Sequence, residues 1–404
     1  MTSTVTAADI GRAAAAIADD VVRTPTAPSL TLSAMTGAHI HVKFENLQFT
    51  GSFKDRGAAN HLRALGAEGR ARGVIALSAG NHAQGVAHHA GRLGVRATVV
   101  MPSSAPFTKV SSTRALGADV VQAGSTLADA VAELEEQQRR HGYVYVPPFD
   151  DAAVIAGQGT VALEMLADAP QLDVIIVPVG GGGLLSGMAV AAKSLRPDVE
   201  VIGVQVAAYP EAVSRFHRRP IGAEATQTLA DGIAVKAPGQ LTMPLIERLV
   251  DDMVVVSEED TERAIALYAE IEKTVAEGAG AVPLAAVLAD PDRFADRRVG
   301  LVLSGGNIDS RVLASVLLRG LVRTERVSVV RVRVADLPGQ LAPIVDAIAE
   351  RGANIIEIEH RRTFDAVSAR SANIDVTMET RDVAHRDEVM AAVRALGQSV
   401  ELLS

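Results

Sequence analysis

Four glycines in a row, Gly180–Gly183, follow the apolar run Val174–Val179 and open a stretch rich in Leu, Ala and Met. Few folds accommodate that order. Glycine weakens the interior of a strand or helix, so a block of four belongs at a junction, and its neighbours make the junction strand-to-helix. There, successive backbone N–H groups can curl round an anion while the helix N-terminus adds its dipole, which is the chemistry of a phosphate cradle. A strained strand-to-helix turn is the plainer alternative, but such a turn needs fewer glycines. The run lacks the Gly-Lys-Ser/Thr ending of a P-loop and does not follow the Gly-x-Gly-x-x-Gly dinucleotide pattern.

Aliphatic runs alternate with helical patterns from about Ile40 to Ser304. The runs include His41–Glu45, Val74–Ser78, Ala97–Met101, Val174–Val179, Val199–Val206 and Val299–Ser304, with helical stretches such as Gln84–Leu93 and Leu127–Arg140 between them. This βαβα rhythm predicts an α/β fold with mostly parallel sheets. The apolar residues are mainly Ala, Val, Leu and Ile, with no Trp and 3% aromatics, as suits strands buried on both faces. Beyond Val327 the pattern changes. Strands are expected over Val327–Val334, Ile355–Arg362, Arg370–Met378 and Ser399–Leu403, and helices over Pro338–Arg351 and Val383–Leu396. Their order is βαββαβ, the split β-α-β arrangement, with Arg319–Arg326 as the expected linker.

The 404 residues fit two or three domains. No Cys is present, which excludes disulfides, thiol catalysis and Cys-ligated zinc. A net charge of −9 argues against a nucleic-acid partner, which needs a basic face. The segment Met1–Asp19 is acidic and lacks the apolar core of a signal peptide. No run approaches the roughly 20 apolar residues of a membrane span. The cytoplasm is the expected location, with no membrane partner.

Three further motifs stand at the ends of expected strands, where open α/β sheets bind ligands. In Glu45–Gly57, Lys54 follows Gly51-Ser52-Phe53. A lysine held and desolvated at such a junction loses basicity and becomes a nucleophile able to form a Schiff base. By residue type alone, a solvated lysine beside Asp55 is the alternative. Ser78-Ala79-Gly80-Asn81-His82 reads equally as an anion-binding helix start, with donors from Asn81, or as an ordinary N-cap. Leu303-Ser304-Gly305-Gly306-Asn307 offers the neutral hydroxyl of Ser304, or is simply a turn. His82, His88 and His89 do not read as a metal cluster. Adjacent residues 88 and 89 cannot share a helix face and no acidic residue follows at i+4, so no metal is expected.

In this order the four motifs closely resemble the fold-type II pyridoxal-phosphate enzymes, and within them the threonine dehydratases (threonine ammonia-lyases), over roughly Ile10 to Arg319. The tail, with Asp336-Leu337-Pro338-Gly339-Gln340-Leu341, resembles an ACT domain, a type that commonly binds amino acids and regulates the enzyme it is joined to. The resemblance implies a catalytic region over residues 1–320, with a small domain of approximately 46–147 inserted in a large domain of 1–45 and 148–320, and an ACT-like domain over 327–404.

It further implies pyridoxal 5'-phosphate as cofactor, and roles residue by residue. Lys54 would hold the cofactor as a Schiff base and then act as general base. Phe53 would pack beside the ring, Asn81 would bond its phenolic oxygen and Ser304 would face its nitrogen. Gly180, Gly181, Gly182 and Gly183 with the Leu184 N–H would hold the phosphate, and Gly232 and Glu277 would lie near the cofactor. Ser78, Ala79, Gly80 and His82 would receive the substrate carboxylate. In the tail, Gly339, Leu341, Asn354 and Ile355 would line an effector site.

The implied reaction turns L-threonine into 2-oxobutanoate and ammonia, with L-serine to pyruvate as a secondary activity. A serine racemase of the same fold is the near alternative, but such racemases carry a Ser where this chain has Ala79, and a methyl group exchanges no proton. A lyase of broader β-hydroxy-amino-acid range is another alternative. A catalytically silent amino-acid sensor is a third, of a different class. Isoleucine, then valine, would be the effectors, as end products of the pathway, and a homo-oligomer is expected. Some relatives hold a cation through a Glu and an Asp. The corresponding stretch here has Gln205 in place of the Glu, so no cation is expected.

Overall fold

The computed structural model describes residues 5–223, 227–362 and 370–403. The chain divides into two compact units, Met1–Ile308 and Asp309–Ser404. In chain order the strands of the first unit are β1 (Thr26–Pro28), β2 (His39–Phe44), β3 (Val74–Leu77), β4 (Ala97–Met101), β5 (Asp119–Gln122), β6 (Val144–Tyr145), β7 (Val174–Pro178), β8 (Glu200–Val206), β9 (Asp252–Val256) and β10 (Arg298–Leu303). Those of the second are β11 (Val327–Ala335), β12 (Asn354–Arg361), β13 (Ser371–Glu379) and β14 (Ser399–Leu402).

Strands β1-β2-β10-β7-β8-β9 form one sheet, parallel except for β1. Strands β5-β4-β3-β6 form a second, wholly parallel one. The expected α/β class is borne out. Every residue of β4 and β7 is buried, and helices Gly183–Leu195 and Gly278–Ala289 pack on β7. A strand covered by helices has no wet face, which is why these runs are apolar without alternation.

Three helices, Lys54–Ala64, Ala152–Asp168 and Gly183–Leu195, meet at glycines, and this contact decides where Lys54 stands. A Cβ on Gly57 would lie 2.2 Å from Gln158 Nε2, one on Gly157 2.6 Å from the Arg56 carbonyl oxygen, and one on Gly187 2.3 Å from that of Ile155. Beside this contact lies a buried charge network. Arg56 donates to Glu45 and to Glu164 at 2.7 Å, and Lys43 Nζ donates to Glu164 at 2.7 Å. Arg56, Glu45 and Lys43 are fully buried. Burial alone would raise the Glu45 carboxyl, but Arg56 and Lys43 outweigh it and hold it below its ordinary value.

The second unit opens with the helix Ser310–Arg323, whose N-cap Asp309 accepts from the Arg311 and Val312 N–H groups. The expected linker Arg319–Arg326 is therefore corrected, because helix continues through Arg323 and only Thr324–Arg326 remain before β11. Val316 is buried and Val312, Leu313, Leu317 and Leu321 are half-buried around it at helical spacing, while Arg319 and Arg323 on the same helix stay exposed. The βαββαβ order then appears as expected, in an antiparallel sheet β12-β13-β11-β14. Val330, Val332 and Val334 face the helices together with Ala372, Ile374 and Val376, against Ile344, Ile348, Val389 and Val393. The alternate residues Arg331 and Asp375 pair at 2.7 Å on the other face.

Candidate active site

Loops after β2, β3, β7 and β10 carry the motif residues, all of them within the first unit. Lys54 is the first residue of its helix, and its Nζ donates to the Pro148 carbonyl at 2.6 Å, 5.2 Å from the Phe53 ring centroid. Enclosure lowers its pKa to about 8, with the Glu277 charge opposing the fall. Lys54 is half-buried, its amine drawn back onto the Pro148 carbonyl instead of standing free in solvent. The Phe53 N–H donates to Ser304 Oγ at 3.0 Å, which leaves the Ser304 proton free to be donated elsewhere.

Asn81 opens the helix Asn81–Arg92. Its Nδ2 donates to Glu277 Oε1 at 2.7 Å, and its Oδ1 accepts from Asn307 Nδ2 at 2.7 Å. Burial pushes Glu277 up to about 7, with the nearby Asp231 adding to the rise. Gly232 and Gly305 flank that carboxyl, and a Cβ on either would stand 3.0 Å and 2.1 Å from Oε1 respectively. Lys109 reaches Asp231 at 2.7 Å and so ties the helix Phe107–Ala115 to the turn before Gly232.

The four glycines meet other chain segments at every position. A Cβ on Gly181 would lie 2.3 Å from the Phe149 ring, on Gly183 3.0 Å from Phe149, on Gly182 2.8 Å from Thr242 Oγ1 and on Gly180 3.2 Å from Ile233 Cα. Gly182 also has φ +93°. The Gly181 carbonyl accepts from the Gly239 N–H at 3.1 Å and from Thr242 Oγ1 at 2.7 Å, while Asp150 accepts the Gln240 and Leu241 N–H groups at 2.8 Å. Close packing, more than turn geometry, accounts for so many glycines. Among the described residues, the N–H groups of Gly181, Gly182, Gly183 and Leu184 find no acceptor within the protein.

The Ser78–His82 loop is more mixed. Ser78, Ala79 and Gly80 are half-buried, and the Gly80 N–H is engaged by Ser78 Oγ at 3.2 Å. His82 is buried and its Nε2 donates to the Val146 carbonyl at 2.9 Å. Burial lowers its pKa to about 3, aided by Lys54, so the ring is neutral at neutral pH and carries no charge for an anion. Gln205 uses its buried amide to brace Val179 O and the Val213 N–H. In the tail, Gly339 (φ +87°) precedes the helix that Leu341 opens, and Asn354 and Ile355 open the edge strand β12.

Sequence reasoning assigned no role to Asn307, Asp231, Lys109, Phe149 or Asp150. Asn307 stood inside a motif already singled out. The others join the site through contacts such as Asp150 to Gln240, 90 residues apart, for which the sequence carries no local sign.

A half-buried amine of lowered basicity and a row of unengaged N–H groups at a helix start are what an enzyme with an anionic carbonyl cofactor needs. The chain belongs to the pyridoxal-phosphate dependent enzyme family, whose model matches residues 17–305. An ACT domain model matches residues 328–398. The L-threonine ammonia-lyase of Thermotoga maritima is 45% identical over 400 residues, 99% of this chain and 100% of that one. The T.th. threonine deaminase superposes with TM-score 0.71 at 42% identity, covering 75% of this chain and 99% of that one. A maize serine racemase does so with TM-score 0.74 at 34% identity, covering 80% and 100%. The resemblance read from the motifs and tail is borne out. The residues present also fit the family's cofactor. Free N–H groups at the start of a 13-residue helix suit its phosphate, the Lys54 amine near 8 suits its carbonyl carbon, and the free Ser304 proton suits a ring nitrogen.

Proposed function

We propose that the protein is a threonine ammonia-lyase, making 2-oxobutanoate and ammonia from L-threonine, with L-serine to pyruvate as a secondary reaction. The observation that carries this reading is the pair Lys54 and Glu277, enclosed together, with pKa values of about 8 and about 7. Both groups exchange protons near neutral pH, as acid–base chemistry requires. When bound, the cofactor supplies a conjugated ring that accepts the charge developing as the Cα proton leaves.

The chain's residues do the rest. Lys54 Nζ takes the Cα proton. The N–H groups of Gly181–Gly183 and Leu184 would hold the phosphate, with Gly180 and Gly232 allowing close backbone approach. The Ser304 hydroxyl would donate to the ring nitrogen, Asn81 Nδ2 would donate to the phenolic oxygen and Phe53 would pack beside the ring. Ser78, Ala79, Gly80 and His82 shape the carboxylate loop, where the N–H groups of Ala79, Asn81 and His82 and the Ser78 hydroxyl, rather than the neutral His82 ring, are donors left for substrate among the described residues. Ala79 offers no group to reprotonate the opposite face, which favours elimination over racemisation.

We extend the proposal to the chain as a whole. The catalytic region expected over residues 1–320, with 46–147 as an inserted small domain, has its chemistry within the first compact unit, which ends at Ile308, and the regulatory domain comprises 327–404. Isoleucine or valine binds around Gly339, Leu341, Asn354 and Ile355 as end-product effector, and the protein is a cytoplasmic homo-oligomer. The test is borohydride trapping with peptide mapping, alongside chiral and keto-acid product analysis with L-threonine and L-serine. A pyridoxyl group on Lys54 with 2-oxobutanoate as product supports the reading. An adduct on another lysine, D-serine at a rate matching pyruvate, or no keto acid at all would each overturn it.

A further inference from the structure

We infer that Asn307 is a positioning residue that fixes the amide of Asn81 with its N–H groups turned into the site, and so sets how the cofactor's phenolic oxygen is held. The inference rests on the reading of Asn81 as a cofactor contact. An asparagine amide can bind either way round, and only its partners decide. Here they do. Asn307 Nδ2 donates to the Thr50 carbonyl at 2.7 Å, an atom that can only accept, so this end of the chain of bonds has one polarity. The second Nδ2 proton goes to Asn81 Oδ1 at 2.7 Å. With its oxygen so engaged, Asn81 turns its Nδ2 the other way, where Glu277 Oε1 accepts at 2.7 Å. The backbone N–H of Asn307 bonds Glu277 as well.

The donors therefore run in one direction, from a backbone carbonyl to a carboxyl oxygen, and reversing Asn81 breaks a bond on each side of it. The loops are shaped to keep Asn307 there. Gly51 has φ +78°, and a Cβ on it would come within 3.2 Å of Asn307 Nδ2, while the Gly306 N–H donates to the Gly51 carbonyl at 2.9 Å.

The test compares Asn81→Ala, Asn307→Asp, Asn307→Ala and the Asn81→Ala/Asn307→Ala double variant as cofactor-loaded enzymes. The readouts are the visible absorbance spectrum against pH and cofactor retention on dialysis. Asp at 307 cannot donate to Thr50 or Asn81, so Asn81 turns its N–H groups toward it and its oxygen inward. The spectrum and its pH midpoint are expected to match those of Asn81→Ala, with cofactor held about tenfold more weakly, the worth of one buried hydrogen bond. The double variant is expected to shift the spectrum no further than Asn81→Ala alone, because the two residues act in series.

A spectrum that moves in Asn81→Ala but stays wild-type in both Asn307 variants overturns the inference alone. One that does not move in Asn81→Ala overturns the assignment of Asn81 and this inference with it. Additive shifts in the double variant assign Asn307 a separate structural effect and overturn it too. Should Asn307→Asp fail to fold, Asn307→Ala, which frees Asn81 Oδ1 and leaves the Glu277 bond in place, is expected to move the spectrum part of the way toward that of Asn81→Ala, and a wild-type spectrum there overturns the inference.

Discussion

Replacing Lys54 by Met is expected to abolish turnover and yet stabilise the cofactor-free protein at neutral pH. Enclosure lowers the pKa of this amine from 10.5 to about 8, so holding it protonated in the fold costs about 3 kcal/mol at about 1.4 kcal/mol per pH unit. Methionine has similar length and no charge to desolvate. It forfeits the bond to the Pro148 carbonyl, which offsets about 1 kcal/mol, and a net gain of about 2 kcal/mol remains. Between the two pKa values the unfolded chain binds more protons than the folded one. The cost is therefore complete below about pH 8 and fades as pH rises toward 10.5. The assay is urea unfolding of both cofactor-free proteins at neutral and at strongly alkaline pH. An equal or lower midpoint for Lys54→Met at pH 7, or a gain undiminished at high pH, would refute the reasoning.

Glu277→Gln should stabilise the protein above about pH 7, because its raised pKa makes the carboxylate's cost complete there and absent below about 4.5, its ordinary value. The same substitution removes the charge that supports protonated Lys54, so the acidic limb of kcat against pH, which the base sets in the substrate complex, should move to lower pH. Gly181→Ala places a methyl where the Phe149 ring stands at 2.3 Å. It should cost about 1–3 kcal/mol in thermal unfolding and release cofactor on dialysis. Lys109→Ala removes a partly exposed ion pair with Asp231 and should change urea stability by less than about 1 kcal/mol. Truncation after Ile308, where the first unit ends, should preserve threonine deamination and remove its response to isoleucine and valine, a coupling of about 1–3 kcal/mol measurable from rates in the full-length enzyme.

The strands were legible because each unit advertises its burial differently. β7 is apolar at every residue, as a strand covered by helices must be, and β11 alternates, as a half-wet antiparallel strand does. The glycine run announced a junction, but not the reason for four glycines, since Phe149, Ile233 and Thr242 reach them from distant segments. His82 lies in the expected loop, yet its ring is spent on the Val146 carbonyl, a partner that exists only because β6 lies beside β3. The helix over Arg319–Arg323 was hidden by its exposed arginines, while its inward residues carried the period. Asn307 could be quoted but not given a role, because its amide is fixed by Thr50 and Asn81, both brought there by other loops.

The tripeptide Pro148-Phe149-Asp150 is where separate parts of the site are joined. Pro148 holds the Lys54 amine across 94 residues, and Asp150 holds Gln240 across 90, while Phe149 fills the space left by Gly181 and Gly183. Contacts of such separation close large loops, at a cost in chain entropy. The strand-to-helix turn that carries the glycines can form locally, but it becomes a shaped receptacle only when this crossover docks. The shape of the cradle therefore depends on three consecutive residues outside it, and a change at Phe149 or Asp150 should unsettle it as a change in the glycines themselves would.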